Sequence, residues 1–171
     1  MGLEAVQSAL ARLYTDDRLR ERFFAAPAET AAAMGLDAGD AACVAAVDRQ
    51  QVEAFAESLK IKRYGEVRDL VPHALEALGD EALGERFFAF ASGFLPAGVH
   101  KHAADAMAFA AWLGEEGRYD RAVLGLFWRL DGSEARPRRG PAVALAGGAL
   151  HVRRRGAERY RVYSFARRRK D

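Results

Sequence analysis

The sequence predicts a mainly α fold, a multi-helix N-terminal bundle followed by a small C-terminal β-meander, and therefore an α+β protein overall. Apolar residues recur at spacings of three and four through residues 3–130, which is the period of an amphipathic helix. Beyond Gly132 the period changes to two, as in "RYRVYSFA". We therefore predict a helical domain at 1–131, a linker at 132–140 and a β-meander with a basic tail at 141–171.

The first helices are predicted from their apolar spacing and their end signals. One face of the first helix carries Leu3, Val6, Leu10 and Leu13. "TDD" at 15–17 indicates a second helix start, because a capping side chain and acidic residues favour the positive end of a helix. Pro27 opens a third helix, and the glycine of "MGL" closes it. A long periodic segment then runs from about Asp40 to Leu59.

Four further periodic segments bring the expected number of helices to seven or eight. They are "KIKRYGEVRDLVPHALEALG", "EALGERFFAFASGFL", "HAADAMAFAAWL" and "RYDRAVLGLFWRL". Pro72 lies inside the first of these, which predicts either a kink or a helix that begins there. The last segment is expected to stop at Asp131, before the polar linker "DGSEARPRRGP".

The C-terminal stretch is predicted to form a three-stranded meander. "AVALAGGALHV" holds two apolar runs around Gly147 and Gly148, which is a signal for a two-residue hairpin loop. "RRGAE" indicates a second turn, and a third strand follows it. Alternation in that strand gives it two faces, Tyr160 and Val162 against Arg161, Tyr163 and Phe165. The final "RRRKD" is expected to be loose.

Charge is distributed unevenly along the chain. The formal net charge is only +2, yet residues 1–120 carry 12 basic and 20 acidic side chains. Residues 121–171 carry 14 basic and 4 acidic side chains. Such segregation indicates a partner surface on the basic part of the chain.

The location of the protein is predicted from its first residues and its cysteine content. "MGLEAVQSAL" has an early acidic residue and no long apolar core, so no secretory signal is expected. No apolar run approaches the roughly 20 residues that would span a membrane. The single Cys43 lies in "AACVAAV" and is expected to be a small buried hydrophobe. A reducing cytoplasm fits these features best.

The sequence does not predict an enzyme, and we expect no cofactor. It contains no G-x-S-x-G elbow, no G-x-G-x-x-G fingerprint and no phosphate-binding G-x-x-x-x-G-K-S/T loop. "GVHKHAAD" offers His100 and His102, which could share a metal ion if the segment is extended. A complete site needs a third or fourth ligand that the spacing does not supply. These two histidines are therefore weak metal candidates, and a metal-dependent enzyme is the third-ranked hypothesis.

Two interpretations remain for the basic C-terminal hairpin, which is residues 150–171. In one, Arg153–Arg155, Arg159, Arg161 and Arg167–Lys170 neutralise the phosphates of DNA. In the other, an open strand edge takes up an extended peptide by main-chain hydrogen bonds, and the arginines attract its acidic residues. The residues predicted to bind the peptide are those of the edge strand and its basic face: Val152, Arg153, Arg155, Arg159, Arg161, Val162, Tyr163 and Phe165.

The helical part resembles a known family of partner proteins. The strings "LARLYTDDRLRERFFAAP…MGL", "FAESLKIKRYGEVRDLVPHALEALG" and "RYDRAVLGLFW" are similar to small helical proteins found beside multinuclear non-haem iron oxidases. These oxidases act in bacterial ribosomal-peptide pathways, and the same helical pattern occurs as the C-terminal part of some actinobacterial proteins of the oxidase group. Related N-terminal domains have been described as DNA-binding. The resemblance covers residues 6–130.

The resemblance implies a non-catalytic partner that docks on the iron oxidase and holds the leader of a precursor peptide. The positions that carry over, most of them structural, are Tyr14, Phe23, Lys62, Arg63, Pro72, Tyr119 and Trp128. We therefore expect a peptide-recruiting partner of an iron-dependent oxidase, with the precursor peptide and the oxidase as its partners. The alternative is a DNA-binding regulator that uses the basic hairpin.

Overall fold

The computed structural model describes residues 2–157 and 159–165. Within these residues the chain forms nine helices followed by five strands, which confirms the predicted mainly helical α+β class. The helices are α1 (Leu3–Thr15), α2 (Asp17–Ala25), α3 (Pro27–Ala33), α4 (Ala38–Ala45), α5 (Arg49–Arg68), α6 (Pro72–Leu78), α7 (Asp80–Ala91), α8 (Lys101–Trp112) and α9 (Arg118–Leu124). The strands are β1 (Trp128–Asp131), β2 (Glu134–Pro137), β3 (Ala142–Ala146), β4 (Ala149–Arg153) and β5 (Arg161–Ser164).

The chain forms two compact units, Met1–Lys62 and Arg63–Asp171, and the boundary between them falls within α5. The division at 131 and 140 that the sequence suggests stays a prediction. Within the described ranges, none of the helices combines the length and the hydropathy needed to span a membrane.

The first unit has its own apolar core, formed by Ala9, Leu13, Leu19, Phe23, Ala31, Val44 and Val52. The predicted helix start at "TDD" is confirmed, with Asp16 as the cap. The carboxylate of Asp16 accepts a hydrogen bond from the Leu19 N–H at 2.9 Å, which satisfies a donor at the start of α2. Lys60 of α5 forms an ion pair with Asp17 of α2.

The second unit contains a core rich in aromatic residues, centred on Phe87 of α7. The Phe109 ring of α8 meets Phe87 edge-on at a centroid distance of 5.2 Å, a favoured geometry for aromatic pairs. Pro72 is the first residue of α6. The structure thus selects a helix start over a kink, since proline lacks the N–H that the first helical position would leave unpaired.

The prediction that the last helix continues to Asp131 is wrong. The last helix, α9, ends at Leu124, and β1 pairs antiparallel with β2 inside the predicted linker. Trp128 and Leu130 alternate with an exposed arginine, so a strand directs both apolar side chains to Ala103 and Ala104 of α8. A continuous helix would not place both side chains on that surface.

The predicted three-stranded meander is confirmed. Strand order is β3-β4-β5, and both pairings are antiparallel. Gly147 and Gly148 form the two-residue loop between β3 and β4 with φ of 56° and 70°. Left-handed φ at both positions is the requirement of a type I′ turn, which matches the twist of the strands it joins. The terminal "RRRKD" lies outside the described residues.

Candidate functional site

The meander has two outer strands, β3 and β5, because β4 pairs on both sides. All four residues of β5 are exposed. The Phe165 N–H donates to the Gly148 carbonyl at 3.1 Å, and these two residues are opposite each other in the register. Hydrogen-bonded pairs alternate along an antiparallel ladder, so Tyr163 and Arg161 also bond to β4. The N–H and C=O of Val162 therefore point away from β4, toward the open edge.

In β3, too, the alternation of hydrogen-bonded pairs decides which backbone groups point outward. A two-residue turn closes on a hydrogen-bonded pair, here Ala146 with Ala149. Alternation then makes Ala144 and Ala142 bond to β4, while the N–H and C=O groups of Val143 and Leu145 point outward. Each outer strand therefore presents outward donors and acceptors, and no described strand pairs with them.

One face of the meander is apolar and open to solvent. Val143, Leu145, Tyr163 and Phe165 are between 49% and 67% exposed. The register aligns Leu145, Leu150 and Tyr163 across the three strands, and it aligns Val143 and Val152 with Arg161. We call this surface the outer face: Val143, Leu145, Leu150, Val152, Arg161, Tyr163 and Phe165. A monomer rarely leaves a contiguous apolar row of this kind uncovered, so the outer face is a candidate interaction surface.

Arg153 has a different role from the peptide contact that the sequence predicts. It belongs to the opposite, inner face of the meander and is only 5% exposed. Its Nε donates to the Leu126 carbonyl at 2.6 Å, and one Nη donates to the Arg138 and Gly140 carbonyls at 2.7 Å each. Because this guanidinium is buried and already donates to three backbone carbonyls, Arg153 holds the chain before β3 in place rather than contacting a ligand.

The other predicted peptide-binding residues fall into three groups. Arg161, Val162 and Tyr163 lie on β5 with Phe165 directly after it, and Arg155 and Arg159 are exposed in the β4–β5 connection. Val152 lies on the central strand, so its side chain can contribute to the outer face but its backbone is already paired. The predicted cations Arg167–Lys170 lie outside the described residues.

Support for β5 comes from a small aromatic group on the inner face. The Tyr160 ring lies 5.1 Å from the His151 ring and 5.6 Å from the Phe127 ring, between centroids. Nε2 of His151 is 3.3 Å from the Ala146 carbonyl. These contacts fix the chain where it enters β5, so the edge strand begins from an ordered position.

Helix α9 contributes the part of the site that the sequence interpretation missed. It packs against β3 and leaves a groove of about 590 Å³ along that strand. The groove is lined by Gly114, Glu115, Arg118, Arg121, Ala122, Gly125, Arg138, Pro141, Ala142, Val143 and Ala144. The sequence signal was present in "RYDR", where two arginines three residues apart share one helix face.

A buried carboxylate attaches α9 to α6. Asp120 accepts hydrogen bonds from the N–H groups of His73 at 3.1 Å and Ala74 at 2.7 Å. It thereby caps α6, whose own N-cap residue, Val71, makes no side-chain cap bond. Burial raises the pKa of Asp120, although the two N–H donors and nearby His73 act in the opposite direction.

A second buried carboxylate, Asp105, holds α8 to α5. Both of its oxygens accept from Arg63, at 2.9 Å from Nε and 2.7 Å from Nη2. The same Nη2 donates to the Phe94 carbonyl at 2.8 Å. Burial raises the pKa of Asp105, and the Arg63 guanidinium offsets part of that rise. This buried ion pair gives Arg63 a structural role.

The remaining positions carried over from the resemblance have mixed surroundings. Phe23 is buried in the first core, and the Tyr14 ring lies 4.4 Å from the Phe55 ring. Lys62 is exposed on α5. Tyr119 lies between His73, at 5.8 Å between ring centroids, and the Arg118 guanidinium, 4.5 Å above its ring. With Pro72 at a helix start and Trp128 against α8, most of these positions contribute packing.

The histidines weighed as metal ligands do not come together with further ligands. The His100 ring lies 4.7 Å from the Trp128 ring and precedes α8, while His102 is exposed. Among the residues that the structure describes, no group of three or more His, Cys, Asp or Glu side chains is arranged to hold a metal ion. The prediction that Cys43 is buried is wrong, because its side chain is exposed on α4.

The family model described as "SCO6045-like, C-terminal domain" matches residues 40–115, which is less than half of the chain. The match begins within α4 and ends just after α8, so it includes neither α9 nor the strands. No curated protein and no solved structure matches the chain.

Proposed function

We propose that the protein is a non-catalytic partner that binds an extended precursor (leader) peptide along β5. In this proposal it also docks on a multinuclear iron-dependent oxidase, which modifies the bound peptide. The observation that carries the peptide-binding part is the open edge of β5, where the N–H and C=O of Val162 point away from the sheet. The oxidase part follows from the resemblance of residues 6–130.

Strand addition at β5 is physically favourable because both the backbone and the side chains of the peptide gain partners. An added strand bonds to the outward groups of Val162, and this main-chain pairing supplies affinity for any extended segment. Its alternate side chains lie beside Arg161 and Tyr163, which share the outer face. Specificity then comes from apolar residues next to Tyr163 and acidic residues next to Arg161.

A partner of this kind needs no catalytic residues of its own. A peptide held close to an enzyme reacts as if present at roughly millimolar concentration, because linkage converts the encounter into an intramolecular event. The helical region 6–130 is then the surface for the enzyme, and the meander holds the peptide. This division of labour accounts for the contrast in charge between residues 1–120 and 121–171.

A DNA-binding regulator is the second candidate. The exposed arginines Arg155, Arg159 and Arg161 favour it, since cations on a β-ribbon can contact phosphates. Arg153, which that hypothesis also uses, is buried and donates to backbone carbonyl groups. DNA binding would depend steeply on salt, whereas main-chain pairing with a peptide would not.

The test is a tagged pull-down from the native cells at moderate salt, with the wild-type chain, Val162→Pro and Val162→Ala. Proline removes the outward N–H of Val162, while alanine keeps it. We expect an iron-containing oxidase and a short peptide in the wild-type eluate. Val162→Pro should lose the peptide and keep the oxidase, and Val162→Ala should lose far less peptide.

Two results would contradict the proposal. An eluate with nucleic acid and neither oxidase nor peptide would support the DNA-binding alternative, provided that higher salt releases the nucleic acid. A peptide retained equally by Val162→Pro and the wild type would exclude strand addition at β5. Circular dichroism of each variant would show that the sheet is intact before binding is compared.

A further inference from the structure

We propose that the groove between α9 and β3 is a second binding site, for an extended acidic segment of a partner protein. The segment adds to β3 as a strand and places its acidic side chains against the arginines of α9. This site is separate from β5, because β4 lies between the two outer strands. It does not depend on the proposed recruitment of a precursor peptide.

The edge of β3, rather than one of its faces, lines the groove. Ala142, Val143 and Ala144 are consecutive and all three line it. Side chains of successive strand residues point to opposite faces, so three in a row can border one groove only along the backbone. The outward N–H and C=O of Val143 are therefore available to a chain lying in the groove, as the ladder alternation requires.

The dimensions of the groove suit a backbone rather than a bulky ligand. Ala122 and Gly125 on the helix side and Ala142 and Ala144 on the strand side have small side chains. A volume of about 590 Å³ accommodates a few residues of extended chain. Helix α9 thus lines one side of the groove, and the edge of β3 lines the other. This arrangement suits the addition of a peptide as a strand.

The charge of the groove selects an acidic occupant. Arg118, Arg121 and Arg138 line it, and Glu115 is the one acidic side chain among its lining residues. Arg118 already donates to Glu115 at 3.0 Å and to the Tyr119 hydroxyl at 2.6 Å. Arg138 donates from Nε to the Trp128 carbonyl at 3.1 Å.

Arg121 is the side chain best placed to meet a new carboxylate. It is exposed, and its guanidinium makes no hydrogen bond or ion pair with the residues that the structure describes. An arginine can bind a carboxylate through two parallel hydrogen bonds, which adds geometric specificity to the attraction. We therefore assign Arg121 as the principal contact for an acidic side chain.

The two faces of β3 also specify the alternation of the bound segment. Ala142 and Ala144 lie on the half-buried face, whereas Val143 and Leu145 are exposed on the outer face. An added strand continues both faces, so its alternate side chains meet arginines on one side and apolar residues on the other. The fitting ligand is a segment in which acidic and apolar residues alternate.

A nucleic acid fits these features less well. Its phosphates can accept from the outward N–H of Val143 but have no donor for the outward C=O, and Glu115 would repel them. DNA binding is therefore a competing outcome of the test. An acidic peptide uses the strand edge, the arginines and the apolar row together.

Fluorescence anisotropy with a labelled synthetic peptide of four Glu-Val repeats tests the proposal. A peptide of four Lys-Val repeats is the matched control, and a labelled DNA duplex is the third probe. We expect the Glu-Val peptide to bind the full chain and the Lys-Val peptide to bind at least about tenfold more weakly. Arg121→Glu should weaken the Glu-Val peptide by at least about tenfold, because it replaces attraction with repulsion.

Val143→Pro tests the main-chain component, and Val143→Ala is its matched variant. Proline removes the outward N–H and should reduce binding strongly, while alanine keeps the N–H and should reduce it much less. If circular dichroism shows that Val143→Pro does not fold, Arg121→Glu and the Lys-Val peptide still test whether the groove binds an acidic peptide.

Several results would overturn the proposal. These are equal binding of the Glu-Val and Lys-Val peptides, full binding by either Arg121→Glu or a folded Val143→Pro, and binding that Val162→Pro abolishes. The last result would mean that the peptide lies on β5. Tighter binding of the DNA duplex than of the Glu-Val peptide, lost in Arg121→Glu, would assign the groove to nucleic acid instead.

Discussion

The two outer strands of the meander belong to one small sheet but have different surroundings. Helix α9 lines the edge of β3, and Asp120 bonds that helix to α6. Tyr160 and His151 pack together beside the start of β5, and all four residues of β5 are exposed. A strand edge bordered by a helix can select for particular side chains on an added strand, whereas an edge without such a neighbour accepts extended chains more generally. The difference shows that strand order alone does not define a binding site.

Under the two proposals above, this difference lets one sheet bind two ligands. In the proposed β3 site, the arginines of α9 select the added strand by its charge. In the proposed β5 site, the selecting side chains, Arg161 and Tyr163, are on the strand itself. Variants that damage β4 should therefore affect both edges, and variants on α9 should affect β3 first.

The largest expected effect is that of Arg153→Met, which removes the buried side chain that holds the segment before β3. The Leu126, Arg138 and Gly140 carbonyls would lose their charged donor, and we expect a loss of about 3 kcal/mol in the free energy of unfolding. Urea denaturation measures it. Arg155→Met changes an exposed arginine two residues further along the chain and should leave the urea midpoint unchanged. Equal effects of the two variants would refute the structural role of Arg153.

Asp120→Ala should have the next largest effect and should separate the two edges. The N–H groups of His73 and Ala74 would lose their acceptor, at a cost of about 2 kcal/mol. Because α9 would then be held less firmly, the Glu-Val peptide should bind the β3 groove more weakly than in the wild type. The exposed Asp131→Ala is the control for urea denaturation. Unchanged stability in Asp120→Ala would contradict the capping role.

The pH dependence of stability offers a sharper test of Asp120. Burial raises its folded pKa above the ordinary value of 3.8, so the folded state holds a proton that the unfolded state has released. The associated stability is fully present below pH 3.8 and is lost as the pH rises through the folded pKa. Because asparagine does not titrate, the wild type should lose stability relative to Asp120→Asn as the pH rises from 3.8 through the folded pKa. Asp105 shifts in the same direction in both proteins and cancels from the difference.

The smallest expected effects are those of the edge prolines on stability. Val162→Pro and Val143→Pro each remove an outward N–H that makes no bond to β4, so each should change the free energy of unfolding by less than about 1 kcal/mol. Tyr163→Pro removes an N–H that bonds to β4 and should cost clearly more. Thermal unfolding of the three variants compares them. A cost for Val162→Pro as large as that of Tyr163→Pro would reverse the assigned alternation.

Local signals in the sequence were sufficient for much of the fold. Pro27 and Pro72 each begin a helix, Asp16 caps another, and the Gly147-Gly148 pair forms the predicted loop. The helical spacing of "RYDRAVLGLFWRL" predicts a helix that includes Trp128. The segment forms a strand because its alternate apolar residues can cover Ala103 and Ala104, which are distant in sequence.

The sequence by itself determined the class of the fold, the existence of the meander and the basic character of the C-terminal part. These depend on residue periodicity, turn chemistry and charge, which act between neighbours along the chain. Only the tertiary structure decided that Arg153 is buried, that β3 and β5 are the edges, and that α9 lines one of them. Each of these depends on contacts between residues far apart in sequence, whose proximity no local pattern encodes.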